Sequence, residues 1–355
     1  MLYLGIDQHA RQITISLRDE NGDVLQARQV STQPDKIHAF FQRLTRDRLR
    51  GGESFVAVLE VCGFNAWLIR MLNDYRCHKV IVIQPEQRKK QKTDRRDAAA
   101  LSELLWVNRT RLLHGKPVRG LRQVDVASTT DQENRRLTTL RKEAKQAQTR
   151  IVNRIRHIIR CHNLQWDMPT KTFPTQRAIT WLKKLVLPEI DRLEMNHLLA
   201  DLEHTQQRLN NLEKVIAERC AASEDAVLLS SMPGVAHFTA VALTCRVGRV
   251  QRFPRSRSLA NYWGLTPGCR NSGDDNKRLG SITKAGSSMA RWLLAQVAYQ
   301  ALRKDSHLRN WFKRIKRRRG ASIARVAVMR KLATIIWHIL SKRKTYAECR
   351  QLSTA

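Results

Sequence analysis

The sequence predicts an α/β domain at its amino-terminal end, followed by a helical arm and a helical carboxyl-terminal domain. In residues 1–110, apolar runs of strand length alternate with apolar residues at helical spacing. Two later stretches, within residues 131–162 and 195–216, carry apolar residues seven positions apart, and the pattern beyond residue 226 is helical again. Strands that alternate with helices favour a central mixed sheet, and repeated heptads favour a coiled coil.

The predicted α/β domain spans residues 1–125 and begins with a buried strand at "LYLGID". Two runs of alternating apolar and polar residues surround Asn21 and Gly22, which is a β-hairpin pattern. The elements predicted after the hairpin are a helix at "DKIHAFFQRL", a strand at "SFVAVLEVCG", a helix at "NAWLIRMLNDY", a strand at "KVIVIQP" and a helix that begins near Asp94.

The helical arm is predicted over residues 126–225, because two series of apolar residues repeat there with heptad spacing. The first series is Leu137, Ala144, Ile151 and Ile158, and the second is Met195, Leu202, Leu209 and Ile216. Three prolines, Pro169, Pro174 and Pro188, separate the two series. An ordinary helical bundle shows the same periodicity, and the pattern sets neither the partner of each helix nor its direction.

The last domain is predicted to be helical over residues 226–345, with a carboxyl-terminal tail at 346–355. A polar, glycine-rich loop of about 20 residues lies between two of its helical patterns, and loops of that length in compact domains are often functional. The run "KRIKRRRG" at 313–320 favours contact with phosphates, although a solvated helix end has the same composition.

The charge of the chain predicts a polyanionic partner. It holds 65 Lys and Arg against 31 Asp and Glu, a net charge of +34, and nucleic acid is the commonest polyanion in cells. Residues 111–355 carry 47 basic and 18 acidic residues, so most of the excess lies there. An anionic membrane is the alternative, but we find no amphipathic anchor, apolar span or signal peptide. The seven scattered cysteines predict reduced thiols in a cytoplasmic protein, and we expect no membrane partner.

Four acidic residues form a candidate metal site: Asp7 ends the first strand, Glu60 lies in an apolar strand, and Asp94 and Asp97 open a helix. Two carboxylates three positions apart share a helix face and repel each other unless a cation lies between them. Hard oxygen ligands suit Mg²⁺ or Mn²⁺, which support phosphodiester chemistry. Acids in a first helical turn also stabilise the helix dipole, so a capping role remains the alternative.

Eleven basic residues are candidates for contacts with nucleic acid because they lie beside the candidate acids, in the glycine-rich loop or in the basic run. They are Lys92, Arg95, Arg96, Arg270, Lys277, Arg278, Lys284, Arg291, Lys316, Arg317 and Arg318. Aromatic residues are interleaved with basic ones in the same domain, among them Trp263, Trp292 and Trp311. Such residues can stack on bases, but at helical spacing they more often fill the core, which is the role that the sequence favours here.

The motifs "GIDQH", "LEVCG" and "KTDRRDAAALSELL" resemble the DEDD set of a RuvC-like, RNase H-like nuclease domain. The later segments "SMPGVAHFTAVALT", "FPRSRSLANYWGLTPGCRNSG" and "ITKAGSSMARWLLAQVAYQA" resemble the carboxyl-terminal transposase domain of one group of insertion sequences, the one-ten/eleven-eleven group, in the same order. The resemblance covers nearly the whole chain, and the carboxyl-terminal motifs are its more specific half.

The resemblance implies a site-specific DNA recombinase with a composite active site. By motif position, Asp7, Glu60, Asp94 and Asp97 match the magnesium-binding acids, and Ser272 matches a serine that attacks the DNA backbone. It further implies a structured guide RNA that pairs with donor and target DNA, and an oligomer of dimers, with a tetramer expected on DNA. It also implies a bacterial, nucleoid-associated protein.

Several alternatives remain open on the residues alone. Ser281, Ser287 and Ser288 lie close to Ser272 and are alternative nucleophiles. A metal-only junction nuclease, or a non-catalytic basic protein that binds nucleic acid, would carry the same composition.

Overall fold

A computed structural model describes residues 1–49, 53–84, 94–118, 121–269 and 279–351. The chain divides into two compact units, Met1–Val126 and Ala127–Ala355. Each unit has its own hydrophobic core, so each is considered separately below.

The first unit is built around a six-stranded mixed sheet, which confirms the predicted α/β class. Its elements are β1 (Leu2–Gln8), β2 (Gln12–Arg18), β3 (Val24–Ser31), α1 (Pro34–Arg48), β4 (Phe55–Glu60), α2 (Ala66–Asp74), β5 (Cys77–Gln84), α3 (Asp94–Val107), α4 (Arg109–Leu113) and β6 (Arg122–Val124). The strand order is β3-β2-β1-β4-β5-β6. β1 pairs antiparallel with β2 and parallel with β4, and β4 pairs parallel with β5.

The two faces of this sheet are covered by different helices. Along β1, Leu4 and Ile6 belong to the core formed with α1 and α2, whereas Tyr3 belongs to the core formed with α3 and α4. This alternation follows from the two-residue period of a strand, which sends successive side chains to opposite faces. Apolar residues on both faces explain why the strands read as continuous apolar runs in the sequence.

Helix α3 lies unusually close to the central strand because Gly5 has no side chain. A methyl group at Gly5 would lie 2.4 Å from the carbonyl oxygen of Ala98 and 2.4 Å from the backbone nitrogen of Ser102. The fully buried Ser102 donates a hydrogen bond to Ser16 Oγ at 2.9 Å and accepts one from Arg18 Nε at 3.1 Å. The backbone contact and these polar contacts fix the height and register of α3 on the sheet.

The second unit is mostly helical. Its elements are α5 (Thr129–Cys161), α6 (Gln176–Lys184), α7 (Glu189–Ala221), α8 (Glu224–Ser230), α9 (His237–Val247), a 3₁₀ turn (Val250–Arg252), α10 (Ser256–Tyr262), β7 (Pro267–Cys269), β8 (Leu279–Ile282), α11 (Ser288–Lys304), α12 (Ser306–Arg319), α13 (Ala321–Lys342) and α14 (Tyr346–Gln351).

The two heptad series form α5 and α7, which pack against each other within one chain. Ion pairs join Arg141 to Glu213 and Arg154 to Glu194, so the helices run antiparallel. The predicted α7 positions are buried as expected. In α5, Leu137 and Ile151 are only half-buried, and the neighbouring Thr138 and Val152 are buried instead. We name this pair the helical hairpin. Whether it also forms a coiled coil with a second protomer stays a prediction.

The carboxyl-terminal domain is not wholly helical, which corrects the all-α prediction. Strands β7 and β8 pair antiparallel, with Pro267 opposite Ile282. Short strands that flank a long polar loop give too little periodicity to be distinguished from the loop itself. Within the predicted tail, residues 346–351 form α14, and Tyr346 donates a hydrogen bond to Asp305 Oδ2 at 2.9 Å.

A buried arginine joins the helical hairpin to the helices that follow it. Arg246 of α9 is 7% exposed, and its Nη1 donates to Thr138 Oγ1 of α5 at 3.1 Å and to the carbonyl oxygen of Ala242 at 2.8 Å. Burial lowers the pKa of the Arg246 guanidinium because the charged form loses hydration.

Across the described ranges, no helix is both long enough and apolar enough to cross a membrane.

We expect Gly5→Ala to destabilise the first unit by about 1–3 kcal/mol or more, because the added methyl group must push α3 away from β1. The shift should lower the urea midpoint of unfolding and also lower DNA cleavage, since α3 carries two candidate acids. Gly63→Ala is the matched control, because a methyl group at Gly63 meets no atom within 4 Å. Equal unfolding midpoints for the two variants would contradict this account of α3.

Candidate active site and nucleic-acid surface

Two candidate acids lie at the same edge of the sheet. β1 and β4 are adjacent parallel strands, and Ile6 pairs with Leu59, so Asp7 and Glu60 both come at the carboxyl ends of their strands. The side chain of Asp7 is 18% exposed, and its Oδ2 lies 3.1 Å from Nε2 of the more exposed His9. A partly buried carboxylate at the carboxyl end of a strand is suited to binding a cation from solvent.

A network of amide side chains joins the two strand ends. Asn65 is 7% exposed, and its Nδ2 donates to Gln8 Oε1 at 2.9 Å and to the carbonyl oxygen of Glu60 at 3.1 Å. Its Oδ1 accepts a hydrogen bond from the backbone nitrogen of Cys62. Gln8 directly follows Asp7, so this network fixes the spacing of the two acid-bearing backbones. The contacts of Gln8, His9 and Asn65 were not predicted from the sequence, although the motif "GIDQH" contains the first two residues.

The amino-terminal end of α3 points toward the same edge. Ser102 contacts Ser16, which pairs with Gly5, whereas Trp106 reaches the turn after β2 through a hydrogen bond to the Glu20 carbonyl oxygen at 3.0 Å. From Ser102 to Trp106, α3 therefore runs toward the start of β1, and its first turn lies at the opposite end, nearer Asp7.

The candidate acids are only partly assembled in the described structure. Asp97 is half-buried in the first turn of α3, and Arg95 and Arg96 beside it are exposed. The side chain of Asp94 and the whole of Lys92 lie outside the described part of the chain. Within the described residues, no three His, Cys, Asp or Glu side chains are grouped closely enough to hold a metal ion. The fold thus places Asp7 and Glu60 at one edge without completing a ligand set.

The candidate nucleophile lies outside the described residues. Ser272, together with Arg270, Lys277 and Arg278, belongs to residues 270–278, which separate β7 from β8. The described part shows what holds both ends of that segment.

Two glycines bring the backbones on either side of this hairpin together. Gly264 has φ +67°, and a methyl group there would lie 2.3 Å from the backbone nitrogen of Ala285. Gly286 has φ +68°, and a methyl group there would lie 2.0 Å from the carbonyl oxygen of Tyr262. Both glycines therefore permit contacts of backbone against backbone.

Arg291 stabilises the same contact between the segments on either side of the β7–β8 hairpin. Its Nη1 donates to the carbonyl oxygens of Trp263 at 3.1 Å and of Ala285 at 2.7 Å, so this predicted nucleic-acid contact has at least a structural role. Lys284 is exposed. Ser287 caps α11 by accepting a hydrogen bond from the Ala290 nitrogen at 3.2 Å, whereas Ser281 and Ser288 are exposed.

Two thiols, the half-buried Cys77 and the buried Cys245, are poorly suited to act as nucleophiles. Burial raises the pKa of Cys77 to about 12 and that of Cys245 to about 11. Because the thiolate is the reactive form, both side chains stay protonated near neutral pH.

A strongly basic surface covers α12 and α13. These helices together hold eleven Lys and Arg and no Asp or Glu. Lys316, Arg317 and Arg318 are exposed in the last turns of α12, where cations also favour the negative end of the helix dipole. We name the exposed cations of these two helices the basic surface. Its charge matches the phosphate backbone of a nucleic acid.

Comparisons with known proteins place both halves of the chain among transposases. A family of DEDD transposases of the IS110 type matches residues 4–163, and the family described as "Transposase IS116/IS110/IS902 family" matches residues 226–313. A transposase of insertion sequence element IS1111A from Coxiella burnetii is 31% identical over 267 residues, which are 73% of this chain and 69% of that protein.

Other relatives carry the same description. A probable family 20 transposase from Pseudomonas aeruginosa is 25% identical, covering 85% of this chain and 88% of that protein. A putative transposase from Sinorhizobium fredii is 24% identical, covering 82% of this chain and 74% of that protein.

The first unit has a mixed sheet with acids at one edge, the second unit is basic and mostly helical, and transposase families match both parts of the chain. Together these features define a DNA transposase of an insertion sequence. The chain belongs to the IS110 family of DEDD transposases.

Proposed function

We propose that this transposase cuts and rejoins DNA through a metal-assisted serine nucleophile and that a structured RNA guides it. The observation that carries the catalytic part is the meeting of Asp7 and Glu60 at adjoining strand ends, with the first turn of α3 directed to the same edge. The basic surface supports a nucleic-acid partner on the second unit.

The edge of the sheet that carries Asp7 and Glu60 suits a hard divalent cation. Its donors are carboxylate oxygens on adjacent strands, which are the ligands that Mg²⁺ and Mn²⁺ prefer. Asp7, Glu60, Asp94 and Asp97 would hold the ion. When bound, such an ion supplies charge stabilisation for phosphodiester cleavage. Arg95 and Arg96 are exposed beside these acids and would hold a phosphate chain in place.

Ser272 is the proposed nucleophile. Its Oγ attacks phosphorus, a serine–phosphate bond forms, and the bond from phosphorus to one strand oxygen breaks. The serine proton is lost as that strand leaves with a free hydroxyl group. A later attack by another strand's hydroxyl group restores the serine and rejoins DNA. Hydrolysis would lose the energy of the phosphodiester bond to water, whereas the serine linkage retains it until strands have exchanged.

Among the alternative serines, Ser287 is less well suited to this role. Ser287 already caps α11, and its hydroxyl group accepts the Ala290 N–H. Ser272 lies within the segment whose ends are held together by β7, β8, Gly264 and Gly286. A loop fixed at both ends loses less conformational entropy when it engages a substrate.

The guide RNA and the oligomer are the remaining parts of the proposal. Residues 111–355 carry a net charge of +29, which is enough to neutralise more than one nucleic-acid segment. Dimers, and tetramers on DNA, would bring donor and target together. The helical hairpin supports such an assembly only through its exposed surface, because its apolar seam is filled within the chain.

We expect Asp7→Asn, Glu60→Gln, Asp94→Asn and Asp97→Asn each to abolish Mg²⁺-dependent cleavage of donor DNA while leaving DNA affinity nearly unchanged. Each substitution keeps the size of the side chain and removes the charge that binds the ion. Cleavage is measured on denaturing gels. Asp74→Asn is the control, because Asp74 is an exposed acid of the same unit. Normal cleavage by a variant with both Asp94→Asn and Asp97→Asn would refute the proposed metal site.

We expect Ser272→Ala to bind DNA but to form no covalent protein–DNA adduct and no recombinant, because the attacking oxygen is gone. The adduct is detected as a protein band of retarded mobility on a denaturing gel. Ser287→Ala is the matched control: it should form the adduct and lose only about 1 kcal/mol of helix capping. If Ser272→Ala still yields adduct, another residue attacks; if it recombines DNA without adduct, a metal-only nuclease becomes the better description.

We expect the double variant Arg317→Gln and Arg318→Gln to bind nucleic acid more weakly and with a salt slope lower by about 2 on duplexes, since each lost phosphate contact contributes about 0.9. Fluorescence anisotropy at several salt concentrations measures this. Lys183→Gln with Lys184→Gln removes the same charge from α6 and should leave the slope unchanged.

The guide is tested with the same preparations. Protein stripped of RNA should recombine DNA only after the element's structured RNA is returned. Full recombination by RNA-free protein would refute RNA guidance while leaving the serine mechanism intact.

A further inference from the structure

Two exposed aromatic side chains lie on one helix of the second unit. Trp292 and Tyr299 are seven residues apart on α11, so they share one face of the helix. Trp292 is 38% exposed and Tyr299 is 69% exposed, whereas Leu293 and Val297 on the opposite side are buried. Trp263, which has the same kind of basic neighbours in the sequence, is fully buried. The structure thus separates two tryptophans that the sequence could not tell apart.

Two basic side chains of α5 lie over aromatic rings of this region. Lys142 of α5 places its Nζ 5.2 Å from the centroid of the Trp292 ring, and Arg141 places its Cζ 4.5 Å from that of Phe238. The Phe238 and Trp292 rings meet edge to face at 6.4 Å. We name Phe238, Trp292 and Tyr299, with Arg141 and Lys142, the aromatic surface.

The two cations differ in how far their charge is already neutralised. Arg141 is paired with Glu213, with Nη2 2.6 Å from Oε1. Among the ion pairs of the described residues, Lys142 has no carboxylate partner. Its ammonium group therefore remains available to a phosphate, while the Trp292 ring next to it offers an apolar, polarisable face.

We propose that the aromatic surface binds an unpaired nucleotide, with its base stacked on Trp292 and its phosphate near Lys142. An aromatic ring beside a cation is the combination by which proteins hold single strands, because every base has a π face and every nucleotide a phosphate. Bases inside a duplex are already stacked on their neighbours, so this surface selects unpaired segments. The site rests on the proposed nucleic-acid partner and adds a defined contact to it.

Charge argues against a second copy of this protein as the occupant. From residue 226 onward the chain holds 26 basic and four acidic residues, so two such surfaces repel each other. A nucleic-acid strand brings the opposite charge. The spacing also suits a strand: two helical turns, about 10.5 Å, separate Trp292 from Tyr299, which leaves room for more than one nucleotide along α11.

The test uses the full chain and three labelled probes without metal: a single-stranded RNA, a single-stranded DNA of the same sequence, and the matching DNA duplex. We expect Trp292→Ala to weaken binding to single strands about tenfold, equivalent to about 1.4 kcal/mol, and to leave duplex affinity within about twofold. Trp292→Phe should restore most of the affinity, because stacking needs a ring. Lys142→Gln should lower the salt slope on single strands by about 0.7.

Trp166→Ala is the matched control, since Trp166 is 83% exposed on the same unit but belongs to a different surface. It should change none of the three affinities. Thermal unfolding of every variant separates loss of binding from loss of fold, and Trp292→Phe remains informative if Trp292→Ala fails to fold.

The outcomes are distinct. A selective loss on RNA supports the site as a contact with unpaired guide nucleotides, and a selective loss on DNA supports it as a contact with a displaced strand. Equal losses on single strands and duplex, or no loss, overturn it. Because no cleavage is involved, a protein that binds as expected but never recombines DNA refutes the proposed function and leaves this site standing.

Discussion

The arrangement of the first unit depends on the contact between Gly5 and α3. Backbone atoms of Ala98 and Ser102 occupy the space that any other side chain at position 5 would fill. Close packing of backbones leaves few ways to adjust, so the strand and the helix are fixed together. Since Asp7 follows Gly5 by two residues and Asp97 precedes Ala98, one contact governs the placement of acids that are ninety residues apart in sequence.

In the second unit, close backbone contacts also fix the segments on either side of the hairpin of β7 and β8. Gly264 and Gly286 take backbone conformations that side-chain-bearing residues rarely adopt, and each lies against backbone of the other segment. The guanidinium of Arg291 then satisfies carbonyl groups exposed by the turn. The described backbone on both sides of residues 270–278 is thereby fixed to the helical core.

Charge is divided between the units in a way that suits composite chemistry. Carboxylates that must attract a cation are easier to gather where the background is nearly neutral, and residues 1–110 have a net charge of only +5. The second unit holds the basic surface on α12 and α13 and the aromatic surface on α11. The proposed metal site and the proposed nucleic-acid contacts therefore use different side chains.

The sequence alone determined the mixed α/β class, the order of strands and helices from β1 to α3, the candidate acids and the excess of positive charge, because these follow from periodicity and composition. Tertiary structure decided what depends on contacts between distant residues. It paired α5 with α7 in one chain, turned part of a long loop into β7 and β8, and joined Gln8 to Asn65. It also separated buried Trp263 from exposed Trp292, since only packing decides which side of a helix meets the core.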